Sequence, residues 1–163
     1  MTIHDPIQAR VGDLNRDKVE DLLFHLLRTF YQFEQIEVSE FDLSYELIYI
    51  LKMLRRNDGM RISDIAEEMK IKVFSATRLV DQLEKRELIK RKRDSVDKRN
   101  ILVTITAKGK RMVKKIEDHA INLIFGNMSN YSEDEIHIIF DTIRNLDHIL
   151  GVEPSKFLPV HTG

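Results

Sequence analysis

The sequence of 163 residues contains no cysteine. This absence excludes a disulfide scaffold, a zinc site with cysteine ligands, a thiol nucleophile and a redox switch built on a thiol. Any sensing by this protein must therefore use other chemistry.

Long apolar runs are also missing. No run approaches the roughly 18 to 20 residues that a membrane span needs, and the first residues, MTIHDPIQAR, lack the apolar stretch of a signal peptide. We therefore expect a cytoplasmic protein with no membrane partner. The length, with 42% hydrophobic residues, suits one domain or one dimer-forming unit.

Sequence motifs typical of enzymes are absent as well: the GxGxxG loop, the P-loop, the HExxH pair and the nucleophile elbow. We therefore predict that the protein is not an enzyme and has no catalytic residue or cofactor. We also predict no metal site, because the histidines show no tight ligand spacing; a metal-sensing site assembled between helices is the alternative. The histidines are His4, His25, His119, His137, His148 and His161.

Charged residues are abundant but unevenly distributed, although the formal net charge is only -1. Residues 70–115 hold 16 Lys and Arg against 5 Asp and Glu, whereas the rest of the chain holds 10 basic and 22 acidic residues. A basic block inside an acidic protein is typical of a site for a polyanion such as nucleic acid. A solvated charged surface is the alternative, which such strong segregation disfavours.

Apolar residues that recur every three to four positions predict a long first helix from about Asn15 to Glu37. A second helix is capped by Ser44 and ends at the turn signal Asp58-Gly59. Its inner stripe consists of Leu47, Ile50, Leu51 and Leu54.

Two short helices joined by a tight turn follow, and together they predict a helix-turn-helix. The third helix lies in ISDIAEEMKI, and its inward-facing residues are Ile62, Ile65, Ala66 and Met69. The fourth, in VFSATRLVDQLEKRE, is anchored by Ala76, Leu79, Val80 and Leu83. Its outer face carries residue types that read base edges and phosphates, with an ordinary solvated residue as the alternative at any one position. This set is Phe74, Ser75, Thr77, Arg78, Gln82 and Lys85.

The hydrophobic period then changes from about 3.6 to 2, which predicts a β-hairpin, the wing, with DSVDK as its turn. Ile101, Val103 and Ile105 are expected to seat this wing on the core. The cations of LIKRKR alternate in direction, so about half can face one groove wall while the others reach flanking phosphates or solvent. We assign to the interface Lys90, Lys92 and Arg93.

The wing tip contains Asp97, Lys98 and Arg99. An arginine here can enter the narrow, electronegative minor groove of DNA. Asp97 is expected to brace Arg99, or to tie off the turn through its own backbone.

Two apolar helices complete the chain. A fifth helix is capped by Thr106, and a last helix opens with a capping box of Ser132 and Glu135 and stops at Gly151. With the first helix they are too apolar to stand alone, so we expect a homodimer; an intramolecular bundle is the alternative. The predicted organisation is dimerisation helices at 1–40 and 107–151, a DNA-binding lobe at 41–106 and a C-terminal tail at 152–163.

The segments ISDIAEEM, SATRLVDQLEKRELIKRKRD and DKRNILVTITAKGKRM resemble the MarR family of winged helix-turn-helix transcriptional regulators. The likeness covers roughly residues 15–151. It implies a mainly α fold with a small β-hairpin wing (α+β) and with N- and C-terminal dimerisation helices. By the same likeness, Arg99 is the minor-groove arginine, Asp97 is its bracing partner, and the major-groove contacts include Ser75, Thr77 and Arg78.

The resemblance also implies a function. Family members are homodimers that bind pseudo-palindromic promoter sites in double-stranded DNA, most often as repressors released by a small organic ligand. We expect such an effector at the junction of the dimerisation helices and the DNA-binding lobe. The alternatives are a winged helix that binds an acidic protein partner and a metal-responsive regulator.

Three positions depart from the family pattern. Glu87 stands where glycine is frequent, Lys72 where a serine-like cap is expected, and Phe74 where a small residue is common. Glu87 either accepts a left-handed conformation or ends the helix another way, which leaves the angle between helix and wing open. Phe74 either touches DNA or folds back onto the third helix.

Overall fold

The computed structural model describes residues 15–57, 59–95 and 100–156. These residues form helices and one two-stranded antiparallel hairpin, so the predicted fold class is confirmed. In chain order the elements are α1 (Arg16–Phe41), α2 (Tyr45–Arg56), α3 (Ile62–Glu68), α4 (Val73–Lys85), β1 (Ile89–Arg93), β2 (Ile101–Ile105), α5 (Ala107–Met128), α6 (Glu133–Arg144) and α7 (Leu146–Leu150).

The chain divides into two compact units, Met1–Asp42 and Leu43–Gly163. In the first unit, α1 begins where predicted, because the side chain of Asn15 accepts a hydrogen bond from the Lys18 amide at 2.9 Å. The helix runs four residues beyond the predicted end and stops at Asp42, which has left-handed backbone angles. Its exposed apolar side chains include Val19, Leu22, Leu23, Phe24, Leu27 and Phe30.

The core of the second unit is built around α2. The four residues predicted to face inward are buried, and so are Ile48 and Met53, which the periodicity did not place there. This helix is therefore enclosed on more than one face. Tyr49 connects it to α3, because its hydroxyl donates a hydrogen bond to a Glu68 carboxylate oxygen at 3.1 Å. Burial, reinforced by the charge of Glu68, raises the pKa of Tyr49 to about 12, so the hydroxyl keeps its proton.

Helices α3 and α4 form the predicted helix-turn-helix and pack on this core. Ile65 and Ala66 of α3 are buried, whereas Ile62 and Met69 are half-buried. The turn contains Lys70 in the left-handed region, with a φ of 53°. The Ile71 amide returns to the Ala66 carbonyl at 3.0 Å, which satisfies the backbone at the end of α3.

The hairpin pairs Ile89 with Ile105 and Arg93 with Ile101. The other edge of β2 bonds to Met60, whose amide donates to the Val103 carbonyl at 3.0 Å. Val103 is buried and Ile105 is half-buried, as expected, but Ile101 is 53% exposed. The prediction that Ile101 seats the wing is therefore wrong, because this residue lies at the far end of the hairpin, beyond the last contact with the core.

Helix α5 begins at the predicted cap, where the Thr106 hydroxyl oxygen accepts a hydrogen bond from the Gly109 amide at 3.0 Å. Only its first half is buried, through Gly109, Val113 and Ile116. Farther along, apolar side chains of this helix reach solvent, as at Leu123, which is 37% exposed.

The last helix differs from the prediction by a break. The capping box of Ser132 and Glu135 is present, but the helix is interrupted at Asn145 and resumes as α7. The Asn145 side-chain amide donates to the Asp141 carbonyl at 2.7 Å, a bond that competes with the regular backbone pattern. Gly151 ends α7 in the left-handed region, as predicted. No helix among residues 15–57, 59–95 and 100–156 is long and apolar enough to cross a membrane.

Residues 153–156 lie against the helix-turn-helix. The Lys156 ammonium is 2.8 Å from a Glu67 carboxylate oxygen, and the Lys70 ammonium is 3.5 Å from a Glu153 carboxylate oxygen. The sequence did not predict these contacts. Phe157 and Leu158 of the C-terminal tail lie outside the described part of the chain.

The contact of α5 with the start of the hairpin leads to a prediction about Gly109. A Cβ atom at this position would lie 2.1 Å from the backbone oxygen of Leu88, and that oxygen cannot move aside as a flexible side chain would. Gly109→Ala should therefore lower the free energy of unfolding by about 1–3 kcal/mol. Urea denaturation followed by circular dichroism measures this loss.

The matched control is Gly126→Ala in the same helix, where a Cβ atom would meet nothing within 4 Å. Alanine is the better helix former, so this variant should gain about 0.5–1 kcal/mol. Equal effects at the two positions would contradict the close approach at Gly109.

Candidate nucleic-acid interface

The recognition helix, α4, turns one face to the core and the other to solvent. Ala76, Val80 and Leu83 are buried, as predicted, whereas Leu79 is only half-buried and anchors the helix less than expected. The helix begins after Lys72, whose side chain makes no capping hydrogen bond. The Ser75 amide instead donates to the Lys72 carbonyl at 2.9 Å.

The predicted outer face of α4 is largely exposed. Phe74, Ser75, Arg78 and Gln82 are exposed, so their side chains are brought together on one surface. Thr77 is half-buried, and its hydroxyl donates to the Val73 carbonyl at 2.9 Å, so its proton is committed to the helix. The Thr77 oxygen can still accept a hydrogen bond.

Phe74 and Arg78 form a pair on this surface. The guanidinium carbon of Arg78 is 5.4 Å from the centroid of the Phe74 ring, and Phe74 is 70% exposed. Phe74 is therefore not folded back into the core. A cation over an exposed ring contributes about 0.5–1 kcal/mol, enough to bias the arginine toward one orientation.

Glu87, at the junction between α4 and the wing, adopts the left-handed conformation rather than ending the helix another way. This residue has a φ of 59°, in the left-handed region. Its amide donates to the Glu84 carbonyl at 2.8 Å, and the next amide, of Leu88, donates to the Leu83 carbonyl at 3.0 Å. These bonds form a Schellman motif in which glycine is usual and glutamate stands instead. The Glu87 carboxylate is also 3.1 Å from the Lys108 ammonium.

The cations of β1 differ in their surroundings. Lys90, Lys92 and Arg93 are exposed, and they make no ion pair with any other residue in the described ranges. Arg91 behaves differently. Its guanidinium is paired with two acidic side chains of α4, so it faces the recognition helix rather than a groove wall or solvent.

Arg91 makes several contacts with the same two acids. One guanidinium nitrogen, Nη2, is 2.6 Å from an Asp81 carboxylate oxygen, and the other, Nη1, donates to Glu84. The Arg91 backbone amide also donates to Glu84, at 3.2 Å. Burial lowers the pKa of Arg91, but the hydrogen bonds and charges of Asp81 and Glu84 outweigh this effect. The net result is a pKa above the ordinary value of an arginine. The guanidinium is therefore firmly cationic.

This cluster was not identified from the sequence as part of the site. A signal was present, because Asp81 and Glu84 are three residues apart on a helix and Arg91 lies in the following strand. The pairing requires the left-handed turn at Glu87, which the sequence left open.

The wing tip lies outside the described residues. Asp97, Lys98 and Arg99 therefore stay sequence predictions, and so does the bracing of Arg99 by Asp97. The last described bond of the hairpin joins the Asp94 amide to the Asn100 carbonyl at 2.9 Å.

Among residues 15–57, 59–95 and 100–156, no group of three or more His, Asp or Glu side chains is placed to hold a metal ion.

A tri-helical lobe, Leu43–Lys85, followed by a hairpin that packs beside its last helix, is a winged helix-turn-helix. Residues 43–101 match the model of the MarR family, so the resemblance seen in the sequence is confirmed for this segment.

The similarity to known proteins extends beyond residues 43–101. The HTH-type transcriptional regulator SarZ of Staphylococcus aureus is 26% identical over 108 residues, which cover 66% of this chain and 72% of that protein. A MarR family protein from Bacillus stearothermophilus has a similar fold, with 18% identity, a TM-score of 0.74, and coverage of 85% of this chain and 99% of that one. Streptococcus pneumoniae FabT, solved in complex with DNA, has 17% identity, a TM-score of 0.72, and coverage of 84% and 98%.

The left-handed residue at the helix-wing junction leads to a second prediction. A side chain in this conformation costs roughly 1 kcal/mol relative to glycine, and the exposed pair with Lys108 offsets only part of that cost. Glu87→Gly should therefore raise the free energy of unfolding by about 0.5 kcal/mol. Urea denaturation at one fixed protein concentration measures the change.

Gly151→Ala supplies the opposite control. Gly151 has a φ of 66°, and a Cβ atom there would meet nothing within 4 Å, so only the backbone conformation is tested. This variant should lose about 1 kcal/mol. A loss of stability in Glu87→Gly would contradict the strain assigned to the junction.

Proposed function

We propose that this protein is a DNA-binding transcriptional regulator that acts as a homodimer on a pseudo-palindromic promoter site. One observation carries the proposal: on a winged helix-turn-helix, α4 exposes side chains that suit base edges, and the adjoining β1 exposes three cations that have no ion pair among the described residues. The naming of SarZ as a transcriptional regulator and the DNA complex of FabT support the same conclusion.

In the proposed complex, α4 enters the major groove. Arg78 and Gln82 suit guanine and adenine edges, Ser75 and Thr77 suit base edges or phosphates, and Phe74 either meets a thymine methyl or holds Arg78 in place. These side chains lie on one face of the helix, which allows neighbouring base pairs to be read together.

The wing supplies contacts to the backbone and the minor groove. Lys90, Lys92 and Arg93 neutralise phosphates, which gives affinity and orientation without sequence information. Arg99 enters the minor groove, with Asp97 as its brace and Lys98 beside it. Arg91 is not assigned to DNA, because its guanidinium is held by Asp81 and Glu84.

Dimerisation places two such surfaces on one duplex. Exposed apolar side chains occur on α1 and, in the second unit, on α5 and α6, and a second copy would cover them; they include Leu22, Phe24, Leu27, Phe125, Ile138 and Ile143. The proposed organisation keeps dimerisation helices at 1–40 and 107–151 and the DNA-binding lobe at 41–106. Two recognition helices then have to lie about one helical turn of DNA, roughly 34 Å, apart.

We further propose that the protein is a repressor released by a small organic ligand bound where the dimerisation helices meet the DNA-binding lobe. A modest change in the separation of the two recognition helices is enough to switch DNA affinity. No cofactor is required for this mechanism.

Salt-titrated binding to duplex DNA tests the proposal. A duplex selected from a random pool by the full-length protein should bind with an affinity that falls linearly on a log-log plot against salt concentration, because each phosphate contact releases counterions. A scrambled duplex should bind at least about 1,000-fold more weakly. Millimolar affinity in low salt, with no salt slope, would refute DNA binding and favour a protein-interaction module.

Arg99→Ala should weaken binding to the selected duplex by about 1–3 kcal/mol while the oligomeric state stays unchanged. The loss should depend on sequence if the arginine reads groove width, and should be uniform if it meets only phosphate. Unchanged affinity would remove Arg99 from the interface.

The dimer is tested by mass. Sedimentation equilibrium should give twice the chain mass of 19.2 kDa, and Leu27→Glu on the apolar stripe of α1 should shift the protein toward the monomer. Gln32→Glu adds the same charge to the polar side of α1 and should leave the dimer intact. A monomeric wild-type protein, or equal effects of the two variants, would argue against this interface.

A further inference from the structure

The pairing of Arg91 with α4 connects the two parts of the proposed DNA interface. Arg91 lies in β1, two residues after Ile89. Its guanidinium contacts Asp81 and Glu84, which are about one turn apart on α4. Because the planar guanidinium engages two carboxylates at once, it restrains the direction of the strand as well as its distance from the helix. The backbone bond from the Arg91 amide to Glu84 adds a third restraint.

The same contacts are electrostatically unusual for a surface that faces DNA. Asp81 and Glu84 put two negative charges on the recognition helix, and one arginine compensates only one of them. With side-chain exposures of 49% and 39%, neither acid is hidden from solvent. These acids therefore oppose phosphate binding, and a role in affinity does not explain them.

The connection between helix and strand also needs support. The turn is only the segment from Arg86 to Leu88, and its central residue, Glu87, holds a left-handed conformation that favours glycine. A strained turn does not by itself define one angle. The pairing of Arg91 with Asp81 and Glu84 is a side-chain contact that crosses from β1 back to the exposed side of α4.

We propose that Arg91, held by Asp81 and Glu84, is a positioning residue that fixes the angle between wing and recognition helix, so that both engage one DNA site in a single register. This proposal rests on the function proposed above. It assigns Arg91 a role in specificity, without contact to DNA, and it gives a reason for two acids on a helix that would face a polyanion.

The decisive variant is Asp81→Asn combined with Glu84→Gln. If these acids act only through charge, removing them makes the surface more basic, frees Arg91 for phosphates and tightens binding to every duplex. If they position the wing, binding to the selected duplex weakens by roughly 5- to 50-fold while binding to a scrambled duplex is unchanged or tighter. The two explanations therefore differ in the sign of the effect on the selected duplex.

A matched control removes two other carboxylates, each paired within its own helix and away from the junction of α4 and the wing. Asp118→Asn combined with Asp141→Asn changes the net charge by the same amount and leaves the contacts of Arg91 in place. This control should keep the ratio of selected to scrambled binding. Arg91→Lys keeps the charge but cannot engage two carboxylates in a plane, so it should lower that ratio as the decisive variant does.

Footprinting supplies a readout that a loss of stability would not produce. At saturating protein, the decisive variant should still protect guanine N7 atoms in the major groove from methylation. Its protection of the sugar-phosphate backbone beside the wing from hydroxyl radicals should fall several-fold. Circular dichroism on each variant establishes that the helices are retained.

The outcomes separate this proposal from the function on which it rests. A wild-type protein without salt-dependent DNA binding would remove both. A wild-type protein that binds its selected duplex, together with a decisive variant that binds it as well or better and keeps both footprints, would remove the positioning role alone. Parallel loss of the ratio and of the backbone footprint in both Arg91-directed variants is the result we expect.

Discussion

The backbone oxygen of Leu88 lies where three elements of the second unit meet, and their relative positions depend on it. It accepts a hydrogen bond from the Thr106 amide at 3.0 Å, which closes the hairpin at the end nearest the core. It also faces Gly109, where even one added carbon would come within 2.1 Å. The end of α4, the base of the wing and the first turn of α5 therefore meet around one carbonyl, and the position of each element constrains the other two.

This junction also positions the wing and its exposed cations. Backbone bonds to Met60 hold one edge of the hairpin, and side-chain contacts to Asp81 and Glu84 hold the other strand against α4. The basic residues of the wing project from a hairpin that is fixed along both edges. A cluster of like charges repels itself, so a rigid scaffold beneath it is needed to keep the charges in one arrangement before any polyanion binds.

Local patterns in the sequence predicted most of the elements, because the period of apolar residues and the capping residues are short-range signals. Thr106, Ser132 and Gly151 act where those signals placed them. The wrong predictions concern residues whose burial or helix boundary is determined by distant or competing contacts. Ile101 alternates like a core residue but lies past the end of the core, and Asn145 interrupts a helix by a side-chain bond that apolar spacing does not reveal. The site follows the same division: the outer face of α4 was predictable, whereas the role of Arg91 depends on a turn geometry that several residue types can adopt. The residues of the wing tip stay predictions.

The segment after Gly151 adds a different kind of information. Its acid, Glu153, faces Lys70, and its base, Lys156, faces Glu67, so the two ion pairs have opposite polarity. Exposed pairs of this kind contribute little to stability. Their arrangement nevertheless distinguishes one direction of the segment from the other, because a reversed segment would place Glu153 beside Glu67 and Lys156 beside Lys70. Four surface charges thus determine the orientation of a segment that has no apolar anchor among its described residues. They act by making the reversed orientation unfavourable rather than by adding stability to the observed one.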